Sequence, residues 1–221
     1  MSLIAEIDAR IEERSLLRHS FYRKWVEGTL PREALQEYAR QYYAFESAFP
    51  RILSALHART AEAWARQSLL GNLWDEEHGD ENHAELWLRF AEGLGVSRHE
   101  VKRAEPNEAT KRLLEVYREA SWDRPVAAGV AALYAYERQV PGVARVKIEG
   151  LRDHYDFEDG PATRFFEEHS TLDEEHSRAE ARIVDELGPP DRQEVVATAQ
   201  AALDAWWGFL DAVDVEAPVP A

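Results

Sequence analysis

Apolar residues recur along this chain with a helical period almost from end to end. Leu3, Ile4, Ile7 and Ile11 form one stripe, and Val195, Val196, Ala199, Leu203, Trp206, Leu210 and Val213 form another near the end. Alternating β-branched runs bounded by turn residues are missing, so no strand is predicted. The breaks between helices are legible. Pro31 opens a segment of about 31–47, and Pro50 interrupts it before a second that runs to about 67. Ser97 with Glu100 reads as a capping box after Gly93 and Gly95; Asp123 and Pro125 start a long helix, Gly160 and Pro161 another, and "GPP" at 188–190 separates the last two. The linkers, 93–107 and 150–161, are too short to separate independent units. The pattern predicts a single all-α domain over 1–221, a bundle of about seven or eight helices.

Two segments break the apolar rule on their inward face. In "NLWDEEHGDENHAELWLRF" (72–90), a helix of 100° per residue puts Leu69, Leu73, Glu76, Asp80, His83, Trp87 and Phe90 on one stripe, while Glu77, His78, Glu81 and Glu85 rotate away. In 164–184, Phe165, His169, Leu172, Asp173, His176 and Ile183 share a face, and Glu167, Glu168, Glu174 and Glu175 do not. A third carboxylate position, Glu137, ends the run "VAAGVAALYAYE", with Leu133, Val130 and Gly129 one and two turns back.

Buried carboxylates and imidazoles cost many kcal/mol without compensation. Arginine partners are the ordinary answer, yet lysine and arginine are nearly absent from these stripes, so the set points to metal. Residues seven apart on a helix lie about 10 Å apart along its axis. Two ions about 3.5–4 Å apart fit such a pair better than one. Histidine and carboxylate without sulfur favour iron or manganese over structural zinc.

Composition narrows the remaining choices. Of 221 residues, 45% are apolar, enough to fill a core, and 42 acidic against 26 basic residues give a formal charge of −16. That charge repels phosphate backbones and anionic lipid, which argues against nucleic acid or a membrane as partner. With no cysteine, disulfides, Cys-ligated zinc, iron–sulfur clusters and cysteine nucleophiles are excluded. The first residues lack a signal-peptide pattern and "VAAGVAALYAY" is too short to span a bilayer, so the expectation is a cytoplasmic protein.

The pattern Glu76-x6-His83, Glu137, His169-x3-Asp173-x2-His176 resembles the ligand signature of haem-oxygenase-like di-metal oxidases. "HSFYRKW", "YARQYY", "AFPRILSALHAR", "AAGVAALYAYERQVP" and "WWGFLD" extend the likeness over nearly the whole chain, toward the members that make p-aminobenzoate. The resemblance implies the helical haem-oxygenase-like (PqqC/TenA-like) fold, with Glu76, His83, Glu137, His169, Asp173 and His176 holding two transition-metal ions, Fe/Fe or Mn/Fe. It implies an oxidase that uses dioxygen and an external reductant, for folate biosynthesis. It further implies that Tyr22 supplies the aromatic ring and Lys147 the amine, with Tyr38, Tyr42 and Tyr43 available to relay or replace a radical. By residue type alone, Tyr22 reads as a half-buried core aromatic and Lys147 as an exposed lysine near a helix end. Asp80 departs from the family pattern and is expected beside the ligands, bonded to His83. Two other oxidase readings stay open, a di-metal oxygenase and a PqqC-like oxidase, each acting on an external small molecule. A non-catalytic helical module would leave the inward ligand set unexplained. Thiaminase chemistry lacks its cysteine. Small molecules and dioxygen are the expected partners, with a homodimer left open.

Overall fold

The computed structural model describes residues 2–158 and 160–214, and among these every regular element is helical. Ser2 caps α1 (Leu3–Glu13) by accepting from the Ala5 amide, and Leu3, Ile7 and Ile11 are buried as the stripe predicts. Next come α2 (Ser20–Val26), α3 (Arg32–Glu46) and α4 (Phe49–Arg59), the last with Pro50 in its first turn. Then follow α5 (Ala63–Glu77), α6 (His83–Gly93), α7 (Arg98–Arg103) and α8 (Glu108–Trp122). The chain continues through α9 (Val126–Glu137), α10 (Val140–His154), α11 (Arg164–His169), α12 (Leu172–Leu187) and α13 (Arg192–Val213). The capping box at Ser97 and Glu100 forms as expected.

Thirteen α-helices among the described residues exceed the expected seven or eight, although the fold class is as predicted. The excess comes from breaks inside runs of continuous periodicity. The segment after Pro50 ends at Arg59 rather than near 67, and a new helix begins at Ala63. Residues 78–82 interrupt the 72–90 stretch, with Gly79 at φ +84° and Asn82 capping α6 through the Glu85 amide. Ser170 and Thr171 separate α11 from α12. The expected linker 93–107 carries α7, and α10 continues to His154 inside the other.

Helix α9 is the axis of the bundle. Every residue from Ala127 to Glu137 is buried, as an apolar run with no polar face requires. Helices α13, α12, α8 and α4 pack around it. On α13 the predicted stripe from Val195 to Val213 is buried, and Trp206 stacks on Tyr136 with centroids 4.3 Å apart while its indole N–H donates to the Tyr117 hydroxyl at 3.0 Å. No helix among the described residues is long and apolar enough to cross a membrane.

Gly129 permits the close crossing of α9 over α8. A Cβ there would meet the Ala120 carbonyl oxygen at 2.6 Å and a Leu56 methyl at 2.5 Å, and the backbone atom has no room to retreat. Gly129→Ala is therefore expected to destabilise the fold by about 1–3 kcal/mol and to lower the thermal midpoint by at least about 2 °C. Circular dichroism melting checks this, and an unchanged midpoint would mean that the helices separate freely.

Candidate metal centre

Six inward polar residues meet because each sits at or near a helix end. Glu76 lies in the last turn of α5, His83 is the first residue of α6, Glu137 ends α9, His169 ends α11, and Asp173 and His176 occupy the first turns of α12. All six are between 2% and 8% exposed. The break at 78–82 lets α6 turn back so that His83 Nδ1 comes within 2.8 Å of Glu76 Oε2. A carboxylate at a helix C-terminus faces the negative end of the helix dipole. Glu76 and Glu137 therefore gain nothing from their own helices and favour a cation beside them.

The residues form two triads. Potential ligand atoms of Glu76, His83 and His169 all lie within 4.8 Å of one another, and so do those of Glu137, Asp173 and His176. Glu76 Oε2 and His83 Nδ1 face each other at 2.8 Å out of line for a hydrogen bond, and His83 Nε2, Asp173 Oδ2 and His176 Nδ1 are buried without a hydrogen-bond partner. Native interiors rarely leave so many polar atoms unsatisfied in one place. Lone pairs of oxygen and imidazole nitrogen, converging and unpaired, fit a pair of transition-metal ions.

Neighbouring groups orient the imidazoles. His176 Nε2 lies 3.0 Å from Asp75 Oδ2, which turns Nδ1 toward Asp173 (3.6 Å) and Glu137 (3.8 Å). His169 Nδ1 bonds the Phe165 carbonyl at 2.8 Å, leaving Nε2 for the site. Asn72 donates its amide to both oxygens of Glu137 at 3.1 Å. Burial and the charge of His83 hold His169 well below the ordinary histidine range, so its lone pair is free.

The remaining charges show how the metal-free site holds together. Burial pushes Glu137 up to about 8, reinforced by Asp173 and partly offset by His176 and Asn72, and pushes Asp173 up to about 6. Burial alone would lower the two other imidazoles. The neighbouring carboxylates of Asp173, Glu137 and Asp75 instead carry His176 to about 10, and Glu76 carries His83 to about 9. Metal binding to these groups would release the protons that they carry.

Beside the first triad lies a cluster of phenols around one amine. Lys147 is 4% exposed, contrary to the expectation of a solvated lysine, and Tyr22 is 3% exposed rather than half-buried, because α10 and α2 pack these faces inward. Lys147 Nζ donates to the Tyr38 hydroxyl at 2.6 Å and lies 5.6 Å from the Tyr22 ring centroid. Tyr42 and Tyr136 share a hydrogen bond, and Phe165 stacks on His169 at 4.1 Å, joining this cluster to the triad. Burial drives the phenols of Tyr22, Tyr38 and Tyr42 upward, so all stay protonated. The void lined by Tyr22, Tyr42, Tyr136, Lys147 and His169 measures about 10 Å³, the size of one small molecule such as water. Tyr43 is half-buried.

Asp80 does not bond His83. It lies exposed in the 78–82 connection, because the helix that would have turned it inward ends at Glu77. Four buried or adjoining polar residues escaped the sequence reading: Glu46, Asn72, Asp75 and Glu180. Asn72 precedes Glu76 by four positions and Glu180 follows His176 by four, so helical spacing contained a signal for both. Glu46 follows Tyr42 by four on α3. Asp75 offered no such signal, since its partner comes from a helix distant in sequence.

Comparison with known proteins places this arrangement. Residues 36–207 match the family described as iron-containing redox enzyme, of the haem oxygenase type. The 4-aminobenzoate synthase of Chlamydia muridarum is 40% identical over 211 residues, 96% of this chain and 89% of the relative. That of Nitrosomonas europaea is also 40% identical, over 94% of this chain and 89% of its own length. Among solved structures, a TenA homolog from Pseudomonas syringae superposes with a TM-score of 0.83 at 16% identity, covering 96% of this chain and 90% of that one. That likeness shows the fold alone. A match over most of the chain, joined to convergent histidine and carboxylate ligands, makes this protein a member of the haem-oxygenase-like family of iron-containing redox enzymes.

Proposed function

We propose that this chain is a 4-aminobenzoate synthase that draws the aromatic ring of its product from Tyr22. One observation carries the reading: a buried amine, Lys147, sits against the phenols of Tyr38 and Tyr22 in a void of about 10 Å³. An external aromatic substrate has no room there. The oxidisable ring has to be one of the chain's own.

The product differs from a tyrosine side chain at two places. It bears nitrogen where tyrosine bears the phenol oxygen, and its carboxyl carbon stands where tyrosine has Cβ. Two transition ions, Fe/Fe or Mn/Fe, held by Glu76, His83 and His169 and by Glu137, Asp173 and His176, supply oxidising power with dioxygen and an external reductant. The chain's contribution is placement. The packed rings of Phe21, Trp25 and Tyr38 fix Tyr22 and exclude water. Tyr42 and Tyr136, stacked on Trp87 and Trp206, offer further oxidisable groups along the same wall.

Lys147 is the nitrogen donor in this reading. Burial pulls its ammonium down to about 7, with Glu46 acting in the opposite direction, so near neutral pH a large share carries a free lone pair. The neutral amine can act as nucleophile. An unfolded lysine keeps its proton to about 10.4. The buried position therefore costs stability below pH 7, and the cost is relieved as pH rises above it.

Three results are expected. Protein supplied with iron and manganese should hold two transition-metal ions per chain; His169→Ala or His176→Ala should lose most of that metal and His78→Ala should keep it, by metal analysis. Asp75→Ala should weaken binding about tenfold. Near-zero metal in the wild type, or equal loss from His78→Ala, would refute the site.

Protein grown with ring-labelled tyrosine, then reduced and oxygenated, should release labelled 4-aminobenzoate at no more than about one molecule per chain, since each turnover consumes a residue. Tyr22→Phe should abolish product and retain metal. Full yield from that variant, or many products per chain, would shift the reading to an oxidase of external substrates.

Carbon NMR of labelled lysine methylenes should show one signal titrating near pH 7 that vanishes in Lys147→Arg, a variant that should also make no product. A lysine spectrum without such a signal would remove the free amine from the mechanism.

A further inference from the structure

The two triads are sealed by the fold, and a metal ion has to reach them from solvent. On the phenol side, the void beside His169 is about 10 Å³ and walled by aromatic rings. Separately, an open cleft of about 430 Å³ is lined by Trp74, Asp75, His78, Glu81, His83 and Glu168, with Thr171 and Leu172. Three carboxylates and two imidazoles stand in that lining, with no lysine or arginine. The other large clefts carry arginines in their walls: Arg138, Arg145 and Arg178 in one, Arg51 and Arg118 in a second, Arg10 and Arg192 in a third.

The floor of the acidic cleft is a candidate ligand. His83 is 2% exposed; its Nδ1 faces Glu76, and its Nε2 has no hydrogen-bond partner. Its Nε2 lies 3.7 Å from Glu168 Oε2, whose side chain is 27% exposed. The other oxygen of Glu168 accepts from Arg164 Nε at 2.7 Å, and Glu81 pairs with Arg89 at the rim. Glu168 thus reaches both outward and inward, with one oxygen toward the imidazole. Asp75 is similarly placed: its side chain is 39% exposed and holds His176 from outside.

We propose that this cleft is the entrance through which divalent metal ions load the centre, with Glu81 drawing the cation in and Glu168 passing it to His83. The proposal rests on the metal-binding reading of the two triads. A hydrated cation entering here exchanges water for carboxylate oxygen before it meets imidazole nitrogen. Carboxylate oxygen suits hard divalent ions such as manganese, and imidazole suits iron. Arg89 and Arg164 hold Glu81 and Glu168 from outside the lining, so the cleft wall itself presents carboxylate oxygen to an entering cation. Electrostatic attraction into such a cleft speeds arrival by about 10-fold or more.

The experiment measures rate apart from capacity. Metal-stripped full-length protein is mixed anaerobically with Mn(II), and uptake is followed by loss of the free-ion EPR signal. The double variant Glu81→Gln/Glu168→Gln should load at least about tenfold more slowly while reaching the wild-type final content. Wild-type loading should slow as salt is added, and the variant's rate should respond little. Glu12→Gln/Glu13→Gln on α1, with the same change in net charge outside the cleft, should load at the wild-type rate. Equal rates in wild type and the cleft variant would overturn the entrance. So would a cleft variant that loads at the normal rate but to lower content, because Glu168 would then be a ligand. Failure of the wild type to bind Mn(II) or Fe(II) would overturn the metal site together with its entrance.

Discussion

The controlling constraint is a cluster of carboxylates in an interior that supplies few cations of its own. Glu46, Glu76, Glu137, Asp173 and Glu180 are all buried, Lys147 is the one buried lysine among the described residues, and no arginine is buried with them. Each uncompensated charge in such a place costs several kcal/mol. Arginines are abundant on the surface, where Arg14, Arg98 and Arg118 pair with exposed acids, so the chain does not lack cations. It keeps them out of the core. Protons on imidazole and carboxyl groups offset that charge in the metal-free protein, where bound metal ions would take their place.

That constraint explains the geometry of the bundle. A continuous helix over 72–90 would spread its inward groups along one side, whereas a reversal at 78–82 brings Glu76 and His83 within 2.8 Å. The break at 170–171 acts in the same way on His169, Asp173 and His176. Helix ends converge on the site, with α9 buried at the centre so that Glu137 can reach it from the remaining direction. The metal side and the phenol side meet at His169, stacked on Phe165. The triads therefore have aromatic neighbours within packing distance, with little room for water between them.

Much of this was legible in one dimension. A 3.6-residue period needs no partner to be recognised, and it marked the helices, the buried stripes of α1 and α13, and five inward groups among the six of the two triads; Glu137 was marked by its apolar run. Asn72 and Glu180 were legible by the same spacing. The resemblance of whole segments such as "AAGVAALYAYERQVP" carried the family and the significance of Tyr22 and Lys147, which residue type alone left ordinary.

The sequence by itself determined the helical class, the cysteine-free ligand chemistry and the excess of acid over base, because each is a property of local spacing or composition. The tertiary structure decided which helices stop short. Asp80 shows the difference: its periodicity is inward, but Gly79 and the Asn82 cap end the helix on either side of it and leave it in solvent. Only packing could bury Lys147 against Tyr38, set Asp75 on His176, or shrink the void beside Tyr22 to the size of a single small molecule. These contacts join residues about one hundred positions apart, and no periodicity within a single helix records which face of another helix will meet it.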